Sequence, residues 1–394
     1  MTSSLPLRSA GVTAPAGFRA AGIHAGIKAS GKKDLTLVVN DGPLDVASGV
    51  FTTNKVKAAP VLWSQQVLTQ HRVRAVVLNS GCANACTGPE GFQDTHATAE
   101  KVAEVLDCGA GEVAVCSTGL IGERIPMDAL LPGVDAVAAA LASTNEAGVD
   151  AATAVMTTDS VPKYAELSHQ GFSVGGFAKG AGMCAPNMAT MLSVITTDAV
   201  IDAELADAAL RAAVGTTFNR LTVDSSTSTN DTVLLLASGA SGVTPTADEF
   251  TGVLTAVCRD LVLQLQADAE GVTKHVSVTV SGATDDADAE RVARAVADDP
   301  LVKTAFFGSD PNWGRIAMAV GKADAAVDPD RLDITLNGVK VCAGGVRGED
   351  RSLADLSGKE ITVLVELGLG AGTATVLTTD LSHAYVEENS AYSS

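Results

Sequence analysis

The sequence predicts an α+β fold, or a layered sandwich of sheets and helices, rather than a regular strand–helix–strand array. Three observations carry this expectation. Short strand-like and helix-like segments alternate along the whole chain, with no internal repeat. Two strand-like runs near the C-terminus flank closely spaced glycines, as in a hairpin. The core must be built from Ala, Val and Leu, because hydrophobic residues are 46% of the 394 but aromatics only 4%.

The elements follow in order. Residues 35–39 and 74–79 read as strands. Residues 94–106 have helix-forming composition, and residues 113–116 are a further strand, ending at a Ser117-Thr118-Gly119 turn. Residues 134–141, just after Pro132 and Gly133, are Ala-rich and helical. Past a glycine-rich stretch, residues 192–198 are strand-like, and residues 202–214 form a helix with Asp202 as N-cap. Residues 232–237 are an apolar strand. Residues 250–266 are amphipathic, with Leu254, Val257, Leu261 and Leu265 at helical spacing. Residues 275–280 alternate as a strand does, and residues 286–297 are helical. Residues 361–365 and 373–377 flank Gly368, Gly370 and Gly372 and pair as a hairpin.

The net charge of −19 opposes binding to phosphate backbones, so no nucleic-acid partner is expected. No apolar run reaches membrane-spanning length, and the first 30 residues lack the apolar centre of a secretory signal. A cytoplasmic protein without membrane attachment is expected. The seven cysteines are odd in number and irregularly spaced, which argues against a disulfide framework. Cys82 and Cys86 are the only close pair, with no histidine at ligand spacing, so no metal site is expected.

The most informative stretch is Lys179-Gly180-Ala181-Gly182-Met183-Cys184-Ala185-Pro186-Asn187-Met188-Ala189-Thr190-Met191-Leu192. A loop that delivers one hydroxyl to the start of a strand suits a nucleophile. It also suits a self-cleaving Ala189–Thr190 bond. Cleavage leaves Thr190 with a free amine beside its own hydroxyl, a built-in general base. The same residues also suit a plain glycine-rich turn entering a strand. Gly180 and Gly182 permit close backbone approach, Pro186 fixes the loop, and Lys179 is suited to meeting a carboxylate substrate. The stretch is not a phosphate-binding loop, because Lys179 precedes the glycines. Gly368, Gly370 and Gly372 lie between strands and are not a dinucleotide fingerprint.

Four further stretches stand out. In Cys116-Ser117-Thr118-Gly119-Leu120-Ile121-Gly122, Thr118 Oγ1 and the Gly119 N–H suit an oxyanion, or simply end a strand. Met156-Thr157-Thr158-Asp159 suits a hydrogen-bonding wall or a helix cap. Glu270 ends the long helix before a Gly271 stop. A carboxylate there opposes the helix dipole, and such local inconsistency gathers at functional sites. An exposed, tolerated glutamate is the alternative. Asp310-Pro311-Asn312-Trp313-Gly314-Arg315 fits a structural type I turn.

Together these stretches resemble, over essentially the whole chain, the ornithine acetyltransferase family, the glutamate N-acetyltransferases of arginine biosynthesis. The matching stretches are residues 179–192, Ser117-Thr118-Gly119, residues 156–159, residues 310–315 and the tail Glu388-Asn389-Ser390-Ala391-Tyr392-Ser393-Ser394. Their shared order makes the resemblance specific. It implies autoproteolysis between Ala189 and Thr190, giving an α chain of residues 1–189 and a β chain of residues 190–394. It implies a heterotetramer of two α and two β chains. The implied fold is a layered α/β/β/α sandwich, like that of N-terminal-nucleophile hydrolases but connected differently. Residue by residue, Thr190 matches the nucleophile, and Thr118 and Gly119 the oxyanion pair. Thr157, Lys179, Glu270, Asn389 and Ser394 match substrate contacts. A one-residue slip would exchange Thr157 for Thr158. Ala181 and Cys184 stand where Ser and Ile are expected, and Cys82 where Asn is common.

The implied reaction has two steps. Thr190 takes acetyl from N2-acetylornithine, and glutamate then collects it. No bound cofactor is implied, although some members also take acetyl-CoA as a co-substrate. A self-processing aminopeptidase or amidase, passing the acyl group to water, is the rival. A non-catalytic protein with a decayed site is a third alternative.

Overall fold

A computed structural model of the chain describes residues 6–183 and 191–391. Cys184, Pro186, Asn187, Ala189, Thr190 and Ser394 lie outside the described residues. The chain divides into two compact units. The first comprises Met1–Asn219 and Ser226–Leu265, the second Arg220–Ser225 and Gln266–Ser393.

The first unit holds two sheets. One contains β1 (Phe18–Ile23), β2 (Leu35–Asn40), β4 (Ala75–Cys82) and β5 (Val113–Leu120), in the order β1-β2-β4-β5. The other contains β3 (Val46–Phe51), β6 (Lys163–His169), β7 (Phe172–Lys179), β8 (Leu192–Thr197) and β9 (Thr232–Ala237), in the order β3-β9-β8-β7-β6. The pairs β4–β5 and β8–β9 are parallel and the rest antiparallel.

Side-chain alternation then sets the layers. Val38, Val76 and Leu78 of the first sheet share a core with Phe177, Val194, Leu234 and Leu236 of the second. The opposite face of the first sheet, with Leu35, Leu37 and Val77, packs on α2 (Gly88–Leu106) and α3 (Met127–Ala139) through Val102, Val134 and Val137. On the outer face of the second sheet lie α5 (Ala203–Thr216), against β3, and α6 (Ala247–Ala267). Phe250 of α6 meets Phe172 there, ring centroids 6.3 Å apart. The order is therefore α/β/β/α. Burial on both faces explains why β2 and β9 are mostly apolar, without strict polar alternation.

Two shorter helices, α1 (Ala59–Val67) and α4 (Asn145–Ala154), complete the unit, and Ala151 and Ala152 of α4 enter the core between the sheets.

The second unit has one sheet: β10 (His275–Ala283), β11 (Asp333–Leu336), β12 (Val339–Ala343), β13 (Val346–Arg347), β14 (Glu360–Glu366) and β15 (Gly372–Thr379). Its order is β13-β12-β11-β14-β10-β15. One face is apolar and covered by α7 (Asp286–Ala297), α8 (Pro300–Phe307) and α9 (Trp313–Gly321). A last helix, α10, spans His383–Ala391.

Several elements differ from the sequence expectation. β14 and β15 do not form a hairpin; β10 lies between them, parallel to β14 and antiparallel to β15. The glycine-rich connection crosses the end of β10, where Leu369 and Gly370 N–H groups donate to the Gly282 carbonyl at 2.6 and 3.0 Å. A Cβ on Gly370 would lie 2.5 Å from the Ala283 carbonyl oxygen, so the glycines serve a close crossing rather than a tight turn. Ser117, Thr118 and Gly119 lie inside β5, not beyond its end.

α2 begins at Gly88, because Pro89 and Glu90 suit a first helical turn. α3 begins at Met127 and runs through Pro132, held by buried Leu130, Val134 and Val137. Residues 310–315 are not a type I turn. Asn312 N–H donates to the Asp310 carbonyl at 2.7 Å, and Asn312 caps α9 by accepting from Arg315 N–H. α6 stops at Ala267, three residues before Glu270. Gly271, at φ +61°, instead permits the backbone of Tyr385 to approach, since a Cβ would lie 2.1 Å from its nitrogen.

Candidate active site

Among the described residues, the first unit gathers Thr118, Gly119, Thr157 and Lys179 around the ends of β5 and β7. Lys179 is the last residue of β7 and pairs with Leu192, the first of β8. The connection carrying the proposed cleavage bond therefore joins two neighbouring strands of one sheet.

Thr118 is 1% exposed, and its Oγ1 accepts from the equally buried Lys179 Nζ at 3.0 Å. That contact has a chemical consequence. The lone pair facing the ammonium is occupied, so the hydroxyl proton is directed elsewhere, and the positive charge behind it strengthens the hydroxyl as a donor. Gly119 follows at φ +127°, opposite Gly81 at φ +109°, where the β4–β5 register slips. A Cβ on Gly119 would lie 2.3 Å from the Gly81 carbonyl carbon, so only glycine fits. Such irregularities release backbone groups from a ladder and re-aim them beside active sites.

Asp159 organises the neighbouring backbone. Its Oδ1 accepts from Lys163 Nζ at 2.6 Å and from Gly180 N–H at 2.7 Å. Its Oδ2 accepts from Thr157 N–H at 3.0 Å. One buried carboxylate thus ties the Thr157 segment to the residue following Lys179. Burial opposes its ionisation, but the Lys163 and Lys179 charges and the Lys163 and Gly180 donors outweigh it, holding the carboxyl at about 2. Thr157 and Thr158 are both half-buried, and Thr157 is the one whose backbone Asp159 holds.

A second buried carboxyl has the opposite setting. Asp231 is fully buried, and burial pushes it well above the usual carboxylate range despite the Met191 N–H, which donates to Oδ1 at 2.8 Å. The contrast is environmental: Asp159 has a lysine in direct contact, whereas among the described residues Asp231 accepts from neutral donors and feels the Lys179 charge without a direct contact. Beside Asp231, Asn230 Nδ2 donates to the Ser117 carbonyl at 2.8 Å, tying this loop to β5 one residue before Thr118. The nearby thiols are poor rivals as nucleophiles, because burial pushes Cys116 up to about 12 and also raises Cys82. Lys28 donates to the Met156 carbonyl at 2.6 Å, and burial first of all lowers it to about 8.

Within the second unit, Asn389 Nδ2 of α10 donates to Glu270 Oε2 at 2.8 Å. Two residues 119 positions apart in sequence are thus brought together. Ser382 Oγ donates to the Gly271 carbonyl at 2.5 Å and fixes the start of α10 beside that turn. Among the described residues no cluster of His, Cys, Asp and Glu could hold a metal ion, and no helix is long and apolar enough to cross a membrane.

Sequence reasoning quoted Asp159 only as part of a polar run and passed over Asp231, Asn230 and Lys28. The available signal for the first two was a polar pair immediately before the apolar strand β9.

The ArgJ family model matches residues 19–394. The arginine biosynthesis bifunctional protein ArgJ of Mycolicibacterium paratuberculosis is 63% identical over 394 residues, covering 98% of each chain. That of Mycobacterium tuberculosis is 60% identical over 394 residues, again covering 98% of each. A solved chain of ornithine acetyltransferase complexed with ornithine, from Mycobacterium tuberculosis, is 64% identical with a TM-score of 0.46. It covers 46% of this chain and 97% of its own. With the match extending through both units, this chain belongs to the ArgJ family of arginine-biosynthesis enzymes.

Proposed function

We propose that this enzyme transfers acetyl from N2-acetylornithine to glutamate by way of an acetyl-Thr190 intermediate. The observation that carries the reading is the Lys179–Thr118 contact beside Gly119, in a chain whose family is established. Thr190 Oγ1 attacks the acetyl carbonyl, and its α-amine, freed by cleavage after Ala189, takes the hydroxyl proton. Thr118 and Gly119 donate to the tetrahedral oxyanion, a task worth about 2.7–4 kcal/mol per donor. The proton passes to the departing ornithine nitrogen, and glutamate then attacks the acetyl ester to give N-acetylglutamate. Thr157, Lys179, Glu270, Asn389 and Ser394 are the substrate contacts carried over from the family.

Self-cleavage suits the sheet that would contain it. β9 and β8 would belong to the β chain and lie between β3 and β7 of the α chain in one hydrogen-bonded sheet, with β6 of the α chain at its edge. The two chains would remain joined, and a cytoplasmic heterotetramer of two α and two β chains is the proposed assembly. Acetyl-CoA is a proposed second acetyl donor, matching the word bifunctional in the relatives' name.

Initial-rate kinetics test the scheme. Parallel double-reciprocal lines and an acetyl group on Thr190 after incubation with N2-acetylornithine alone are expected. Intersecting lines without a trapped acetyl-enzyme would replace it with direct transfer. Release of acetate in place of N-acetylglutamate would favour the amidase reading.

A further inference from the structure

The register of the second sheet places one buried carboxyl beside the start of β8. β8 and β9 run parallel with Leu192 opposite Thr232, so Asp231 stands beside Met191. Met191 N–H donates to Asp231 Oδ1 at 2.8 Å, and Thr232 N–H donates to the Met191 carbonyl at 3.1 Å. Asp231 therefore holds the backbone N–H of Met191, the residue that follows Thr190 in the sequence. Both Asp231 and Met191 are buried.

The anchor is itself braced. Thr52 N–H donates to the Asp231 carbonyl at 2.9 Å, and Ala58 N–H to the Thr229 carbonyl at 3.0 Å. Asn230 Nδ2 donates to the carbonyls of Ala83 and Ser117 at 2.6 and 2.8 Å. The loop therefore references the start of β8 to the strand bearing Thr118 and Gly119. Ser228 lies alongside, and among the described residues the buried Asp231 Oδ2 has no close hydrogen-bond partner. A carboxyl kept there despite such incomplete satisfaction calls for a purpose.

We propose that Asp231 is a positioning residue for the nucleophilic threonine, holding the Thr190–Met191 peptide in fixed relation to the oxyanion pair. The inference rests on the assignment of Thr190 as nucleophile. Displacement of a reacting group by about 1 Å costs roughly 100-fold in rate.

The test compares Asp231→Ala and Asp231→Asn with the wild-type enzyme, after cooperative thermal unfolding shows each is folded. Asn keeps an oxygen to accept from Met191 N–H; Ala does not. Expected are a fall in kcat of about 100-fold for Ala with KM little changed, and recovery to within about tenfold of wild type for Asn. Wild-type kcat in Asp231→Ala would overturn the proposal, and so would an Asn variant as impaired as Ala. If neither variant folds, the self-cleaved fraction during refolding is read, and equal cleavage by the variants and wild type overturns it. A Thr190→Ala enzyme with full transfer activity would instead overturn the nucleophile assignment on which the proposal stands.

Discussion

Replacing Thr118 with Val removes one hydroxyl and almost no volume, and its cost can be worked from the contacts at that site. The hydroxyl accepts from Lys179 Nζ at 3.0 Å in a fully buried setting. Removing a buried acceptor from a charged donor costs about 1–3 kcal/mol of stability. For a unit of this size that lowers Tm by about 2–4 °C per kcal/mol. The larger effect is on catalysis. One lost oxyanion donor costs about 2.7–4 kcal/mol, or roughly 100- to 1,000-fold in kcat. Because the donor acts on charge present only in the transition state, kcat and kcat/KM should fall together while KM holds. The assay is initial-rate acetyl transfer from N2-acetylornithine to glutamate, beside thermal unfolding and a Thr118→Ser control that keeps the hydroxyl. A Thr118→Val enzyme within about threefold of wild-type kcat refutes the oxyanion role, and so does a Thr118→Ser enzyme as impaired as Val.

Other expectations follow from the same contacts. Gly119→Ala forces a methyl to within 2.3 Å of the Gly81 backbone. It should cost about 1–3 kcal/mol by overpacking and remove transfer activity, as checked by denaturant unfolding and rates. Lys163→Met strips the direct partner from buried Asp159 and should destabilise by about 3–5 kcal/mol, measured the same way. Asp159 sits at about 2 in the folded chain against 3.8 ordinarily, so its stabilisation is full above about pH 4. It should be lost as pH falls from about 4 towards 2, and acid unfolding of Asp159→Asn should show a shallower slope there. Asn389→Ala removes the exposed partner of Glu270 and should change stability by no more than about 0.5 kcal/mol. If it is a substrate contact, KM rises with little change in kcat.

Much of the fold was legible because its strands are buried on both faces. Residues 232–237 and 192–197 are uninterrupted apolar or small-residue runs, and the structure makes both strands with every residue buried. The Asp202 cap was equally plain, since it accepts from Leu205 N–H at 2.8 Å as an N-terminal aspartate does. Local sequence could not reveal that β10 inserts between β14 and β15, because strand order is a matter of distant pairing. The glycines there looked like a turn but serve a crossing. Ser117-Thr118-Gly119 looked like a strand end because a turn and an irregular strand pair use the same residues. Within the candidate site, hydroxyl and glycine placement singled out Thr118, Gly119 and Lys179, and the structure joins Lys179 to Thr118. Asp159 and Asp231 were hidden because their roles come from burial and backbone donors contributed by other strands.

In the proposed mechanism the chain activates its own threonine by cutting before it. The most direct test is the denatured mass of the purified protein, with N-terminal sequencing of each fragment, for wild type and Thr190→Ala. Two wild-type fragments are expected, the second beginning at Thr190, and a single uncut, inactive Thr190→Ala chain. A wild-type chain that transfers acetyl while remaining intact, or a Thr190→Ala chain still cut after Ala189, would contradict it.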